Sequence, residues 1–469
     1  MAARASPGPA DTVGPCNSRT TEGNGVRRTA LAGVMLLGAS LLTACQGDQV
    51  DPDPPATTNG DRVTLRFMVS GRAAEVDAWQ SVVRTFNEEH PHVAVSLVTV
   101  DDETEAMAQL RSGDVPDVFM LSRRDMPAAV EAGLNQPLEE LLDTRGVDFG
   151  DNYKRDSLEA FARDRRLQCM PYSVSPMVMY INKALVDWEE IEAAELPRPG
   201  THNFWSIAQF SAAAEFAAGK GRSVKGVYVE PSLRGLMPFV TSGGGEVFDD
   251  DHDPSSLALS EDESVEALEE TLALLRKGRV APTPKELRRK PALQRFKDGQ
   301  LGMIAGHREL VPELRKVKGL EFDVMPMPTL EEGSTVGEVS GICLAAETTY
   351  PGTAADFIVH AISADSVSEV TQAGYMVPTH NEVAESEAFV QPNRLPEHAQ
   401  VFNRSVRYIN WPPLLDDFDA LEKSVHDEVY ELFYTRVLDI EEITERIDEA
   451  SREVLSPEED EETGETESP

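Results

Sequence analysis

The groups in this sequence that could do covalent chemistry are four thiols and a large surplus of carboxylates. The cysteines stand at positions 16, 45, 169 and 343. They are too far apart in sequence to form a zinc motif. Asp and Glu number 82 against 43 Lys and Arg, a formal charge of −39. Two carboxylates could hydrolyse a glycosidic bond, but with so many present a pair selects nothing. The sequence has no nucleophile elbow, metal-binding motif or ordered triad. No catalytic residue, metal or cofactor is therefore expected. The negative surface argues against a nucleic-acid partner, whose phosphates it would repel.

Cys45 is the thiol with the clearest context. Arg27 and Arg28 precede thirteen apolar or small residues, "ALAGVMLLGASLL", from Ala30 to Leu42. The run is too short to span a bilayer and reads as the hydrophobic part of an export signal. Leu42-Thr43-Ala44-Cys45 resembles a bacterial lipobox, which implies a diacylglycerol on the Cys45 thiol and cleavage before it. The following "QGDQVDPDPPATTNGD" holds too little apolar surface for a core and reads as a tether. Residues 1–44 are then the signal with an N-terminal extension, and 45–61 the tether. Losing 1–44 removes four Arg, one Asp and one Glu, leaving −41.

The body must position whatever else acts. "VTLRFMV" alternates Val63, Leu65, Phe67 and Val69 as a strand does. Trp79, Val82, Val83 and Phe86 follow at helical spacing, ending before Pro91. "VAVSLVTV" reads as a strand, "ETEAMAQLRSG" as a helix and "DVFML" as a short buried strand. "MPAAVEAG" reads as a helix closed by Gly133. Alternating strands and helices predict α/β architecture with a mainly parallel sheet. Such sheets bind ligands beyond the carboxyl ends of their strands. That rule selects Ser70-Gly71-Arg72 and Ser122-Arg123-Arg124. Near the C-terminus, Asp439 and Glu442 have capping-box spacing, and Ile440, Ile443, Ile447, Ala450 and Val454 share a helix face. The acidic end, 456–469, has no apolar content to fold and reads as a disordered tail.

Taken in order, several phrases resemble the extracellular solute-binding proteins of family 1, the sugar-binding components of ABC importers. They are "FNEEHPHVAVSLV", "LRSGDVPDVFML", "CMPY" followed by "MYINKAL", "TSGGGEVFDD", "FKDGQLGMIAG" and "GYMVPTHNEV". The likeness covers most of 62–455. It implies a periplasmic-binding-protein-like fold: two α/β lobes joined by hinge crossovers, with a solute held between them. The lobes are expected at 62–172 with 341–378, and at 173–340 with 379–455. Two departures stand out. Thr201-His202-Asn203-Phe204-Trp205 displaces a tryptophan usual in the family, and Gly306-His307-Arg308 stands where another tryptophan is common. With aromatics at 6 %, a cleft with fewer ring platforms and more positive charge is expected.

The resemblance adds candidates to those from the strand ends. The ligand-binding set is Ser70, Arg72, Arg124, Tyr180, Glu230, His307, Arg308, Gly341 and Trp411. Trp411, braced by Pro412-Pro413, either contacts the ligand or packs its loop. Tyr180 serves the ligand or the hinge, and Glu230 the ligand or a solvated loop. Gly341, beside Ser340, falls at a crossover where a small residue permits rotation. Trp79 reads as core. Arg72, Arg123, Arg124 and Arg308 either balance surface charge or, if two converge, form a fork for a carboxylate or phosphate. In the family fold the strands carrying Cys169 and Cys343 run close together in one lobe. The two thiols are then either bridged or buried free.

The two resemblances imply a monomeric, lipid-anchored binding protein on the extracytoplasmic face of the cell membrane. It would carry a carbohydrate to an ABC permease. The alternatives are a binder of an acidic or phosphorylated solute, a secreted glycoside-active enzyme and a sensor that kept the fold.

Overall fold

The computed structural model describes residues 62–457, apart from 164 and 416. The signal, Cys45, the tether and residues 458–469 lie outside the described residues. Among the described residues no helix is long and apolar enough to cross a membrane.

Two sheets organise two cores. The first sheet runs in the order 377–378, Cys169–Pro176, Gly337–Ala345, Val118–Ser122, Val63–Ser70, Val93–Val100, with Asn135–Gln136 paired to Gly337–Ala345. Val63–Ser70 pairs in parallel with Val93–Val100 and with Val118–Ser122. The remaining pairs are antiparallel, so the sheet is mixed rather than mainly parallel. The reason is connectivity. Cys169–Pro176 carries the chain out toward the second sheet, and Gly337–Ala345 brings it back in the opposite direction.

The sequence pattern sets the local structure of the first lobe. Leu65, Phe67 and Val69 are fully buried on the first strand, as their alternation requires. Met68 is buried too, because this inner strand is covered on both faces. The helix Ala73–Glu89 buries Trp79, Val82, Val83 and Phe86, each contributing roughly 1.5–3 kcal/mol. It ends at His90, before Pro91. The helix Met126–Glu131 is stopped as expected. Gly133 has φ +64°, and the Leu134 amide reaches back to the Ala129 carbonyl.

The second sheet has the order Phe322–Met325, Val178–Asn182, Leu301–Gly306, Lys225–Tyr228. Both of its faces are covered. Along Val178–Asn182, Val178 and Tyr180 pack with the first core, while Met179 and Ile181 join the second. The second core also takes in Ile207–Gly219, Leu233–Ser242, Asp262–Leu275 and the C-terminal helices. The last helix, Ile440–Leu455, is capped by Asp439, whose carboxylate accepts the Glu442 amide at 3.2 Å. It buries Ile443 and Ile447.

Cys169 and Cys343 are bridged. They face each other across the outgoing and returning strands, with Cα atoms 4.3 Å apart, and both are fully buried. The bridge closes a sequence separation of 174 residues within one sheet.

Candidate functional site

A cleft of about 530 Å³ opens over the carboxyl ends of the first three strands. Ser70-Gly71-Arg72 contribute from the first, Asp101-Asp102-Glu103 from the second, and Ser122 with Arg124 from the third. Ser173, Ser175, Glu338 and Ser340 come from the two strands that join the lobes, and Glu309 from the segment after Leu301–Gly306. The floor is aromatic and thioether-rich: Trp79, Tyr172, Tyr375, Met107 and Met376. Trp79 is 4 % exposed, edge-on to Phe67 at 5.1 Å and tilted on Tyr172 at 4.8 Å. It is core and cleft floor together.

The cleft is acidic. Glu75, Asp101, Asp102, Glu103, Asp125, Glu309 and Glu338 line it against two arginines, and both arginines are occupied. Arg72 donates to the Glu309 carbonyl at 3.0 Å and lies over the Tyr375 ring at 5.2 Å. Arg124 pairs with Glu103 at 3.1 Å, Asp419 at 3.2 Å and Glu338 at 3.7 Å. Arg234 joins the same network through Glu338 and through Glu422 at 3.1 Å. The expectation of a more positive cleft is thus reversed. The carboxylates come from segments far apart in sequence, which a count of nearby arginines does not register.

Titration follows from these contacts. Burial pushes Glu75 up, opposed by the Arg72 amide it accepts and by the Arg72 charge. Burial also pushes Glu103 up, reinforced by Glu338 and opposed by Arg124. Asp125 rises by burial as well. Burial would raise Glu338, but Arg124 and Arg234 outweigh it and its pKa falls. Burial alone would lower Arg124, but Glu338, Glu103 and Asp419 hold its proton more tightly.

Of the sequence candidates, Ser70, Arg72 and Arg124 meet in this cleft. His307 and Trp411 line a smaller neighbouring pocket of about 50 Å³, with Met237, Leu414 and Phe418. There His307 Nδ1 lies 2.9 Å from the Ser175 carbonyl. Arg123 sits over the Trp411 ring at 5.6 Å, donates to the Pro412 carbonyl at 3.0 Å, and is depressed to about 10 by burial. The remaining four lie outside both linings. Tyr180 is fully buried and donates to the His307 carbonyl at 2.6 Å. Arg308 is fully buried between Phe389 and Phe402, at 4.5 and 5.0 Å, with its pKa lowered to about 9 by burial. Glu230 is exposed. Gly341 is needed for close approach: a Cβ there would meet the Met170 carbonyl at 2.9 Å and the Phe161 ring at 3.1 Å. Of the four arginines, Arg72 and Arg124 share the cleft but are each engaged by other groups, while Arg123 and Arg308 lie outside it. The displaced Trp205 is fully buried and donates to the Pro326 carbonyl at 2.8 Å.

Sequence reasoning missed the acidic turn after the second strand, "DDE" at 101–103, though the strand-end rule applies there equally. It also missed Tyr375, whose place in the cleft lining depends on the return of the chain at 377–378.

Two α/β lobes around a polar cleft with an aromatic floor define a periplasmic-binding-protein-like solute-binding protein. The sequence matches the family described as bacterial extracellular solute-binding protein over residues 81–397, and the chain belongs to it. Among solved structures, it is similar to the ABC substrate-binding protein Lmo0181 from Listeria monocytogenes in complex with cycloalternan. That likeness has TM-score 0.71 and 18 % identity, covering 84 % of this chain and 99 % of that one. The sugar-binding protein MalE from Xanthomonas citri matches with TM-score 0.71 and 14 % identity, over 84 % and 97 %. UgpB from Mycobacterium tuberculosis, in complex with glycerophosphocholine, matches with TM-score 0.66 and 17 % identity, over 84 % and 98 %. The family implies an extracytoplasmic location and a small-molecule ligand.

Proposed function

We propose that this chain is the lipid-anchored binding component of an ABC importer, holding a carbohydrate in its cleft and presenting it to the permease. The supporting observation is the makeup of the cleft: an aromatic floor under a rim of carboxylates and serine side chains. Tyr375, part-exposed where Trp79 and Tyr172 are buried, can cover a C–H patch of a sugar, and acceptor-rich walls take its hydroxyl protons. Lipid on Cys45 would keep the body beside the membrane, and closure of the lobes would signal the loaded state. The reading requires no catalytic step.

The carboxylate surplus favours a neutral sugar, or one bearing positive charge, over an acidic or phosphorylated solute. An anion would enter a field of like charge and find Arg72 and Arg124 already engaged. The test is a thermal-shift screen of the mature body. Its panel is neutral oligosaccharides, amino sugars, uronic acids, sugar phosphates and glycerol phosphates, since ligand bound to the native state raises Tm. A shift confined to neutral or amino sugars supports the proposal. A shift confined to uronic acids or phosphates overturns the ligand class, and release of products from a glycan overturns the binding role. For the anchor, Cys45→Ala should free the protein from membranes. Recovery of a soluble, unlipidated wild-type protein would refute the anchoring.

A further inference from the structure

We propose that His202, Asp323 and His398 form a binding site for one divalent transition-metal ion on the second lobe, separate from the cleft. The three residues come from distant segments: the loop before the helix Ile207–Gly219, the edge strand Phe322–Met325, and the turn entering Gln400–Ser405. One ligand atom from each lies within 4.8 Å of the other two. His398 Nδ1 is 2.6 Å and His202 Nε2 3.7 Å from the same oxygen, Asp323 Oδ2. Around a tetrahedral ion at about 2.1 Å, ligand atoms stand about 3.4 Å apart. Binding therefore asks for a shift of under about 1 Å between the carboxylate and each ring.

The carboxylate is already aimed. Asp323 is 4 % exposed, and its Oδ1 accepts the amides of Val324 and His398, each at 3.0 Å. Oδ2 is left toward the rings, the arrangement that outer-shell hydrogen bonds give a metal ligand. The two imidazoles are stacked, centroids 3.5 Å apart and planes 5° from parallel. One ring must tilt for both nitrogens to reach a common ion. Both side chains are partly exposed, at 26 % and 43 %, so they can tilt, and the ion can enter from solvent. On binding, the ion takes the place of the proton between His398 Nδ1 and Asp323 Oδ2; that proton passes by way of water to His398 Nε2, so the ring binds as a neutral imidazole. Two imidazoles and one carboxylate select zinc, copper or nickel over magnesium or calcium. Water completes the coordination. A bound ion would tie the three segments together.

The test uses the full mature chain without a histidine tag, stripped by chelator and titrated with Zn2+. Expected are one-to-one binding that excess Mg2+ and Ca2+ do not displace, and a rise in Tm. Either His202→Ala or His398→Ala should weaken binding at least roughly tenfold, a penalty that loss of even an outer-shell partner carries. With Cu2+, electron paramagnetic resonance should show coupling to two imidazole nitrogens in wild type and one in each single variant. His426→Ala, on another helix, should change neither readout. Absence of saturable Zn2+ binding, or binding unaltered in the His202→Ala/His398→Ala double variant, would overturn the proposal. It would leave the stacked pair a purely structural feature.

Discussion

The main cleft and the smaller pocket beside Trp411 share Ser122, Arg124 and Glu338 among their lining residues, yet they are built differently. The cleft rests on the first sheet, over Trp79 and Tyr172, with Cys169 bridged to Cys343 in two of the strands beneath it. The Trp411 pocket is apolar and narrow. Its edge is held by ion pairs that run from Arg124 to Asp419 and from Arg234 to Glu338 and Glu422. Covalent and aromatic packing respond little to screening, whereas part-exposed ion pairs are screened in part. We read the first region as a rigid wall and the second as an adjustable contact between wall and C-terminal helices.

Predictions that would break or sharpen this contrast differ in size. The largest concerns the bridge. Replacing Cys169 and Cys343 by Ala should cost on the order of 5 kcal/mol, the chain-entropy value for so long a loop, read by urea unfolding. A loss below about 1 kcal/mol would show that the wall does not depend on it. Next, Trp79→Ala should cost about 3–5 kcal/mol, as for a buried aromatic, because the ring supports Phe67 and Tyr172 as well as facing the cleft. A neutral outcome in chemical denaturation would place the ring outside the core. Arg124→Ala should cost only about 1 kcal/mol, since Asp419 is 76 % exposed and Arg124, Glu103 and Glu338, although part-buried, keep 32–38 % of their side-chain surface in solvent. It should also remove part of the salt dependence of stability, and unchanged salt dependence would argue against the network as the adjustable contact.

The smallest effect is on pH. Glu75, Glu103 and Asp125 have raised pKa values in the folded protein. The folded state therefore binds more protons than the unfolded chain just above the ordinary carboxylate values of 3.8–4.5. Stability from these groups falls as pH rises through that window and returns on acidification. Glu338, lowered, acts in the opposite sense. Glu75→Gln should gain on wild type in Tm as pH rises from 4 toward 7. A constant difference would contradict the raised pKa.

The contrast also explains what could be read from the sequence. Alternation in "VTLRFMV" and the spacing of Trp79, Val82, Val83 and Phe86 are local, and each corresponds to an observed element. The strand-end rule is nearly local, and it placed Ser70, Arg72 and Arg124 at the cleft. The fates of Arg123, Arg124 and Arg308 were not legible. They depend on Pro412, Asp419 and Phe389, which only the fold brings near. The same holds for His202, Asp323 and His398, whose separation matches no metal-binding spacing. The cysteine pair stood between, since the family resemblance implied neighbouring strands but could not supply bonding register.

The central claim is that a sugar-class solute sits over the aromatic floor at the strand ends of the first lobe. Calorimetric titration with the strongest neutral or amino sugar from the screen tests it most directly, comparing wild type with Tyr375→Ala and Glu230→Gln. Tyr375 lines the cleft and Glu230 does not. The account predicts that Tyr375→Ala weakens binding severalfold to about tenfold, the worth of one aromatic contact of roughly 0.5–1.5 kcal/mol, while Glu230→Gln leaves it unchanged. Unaltered affinity in Tyr375→Ala together with a clear loss in Glu230→Gln would contradict the account and place the solute elsewhere.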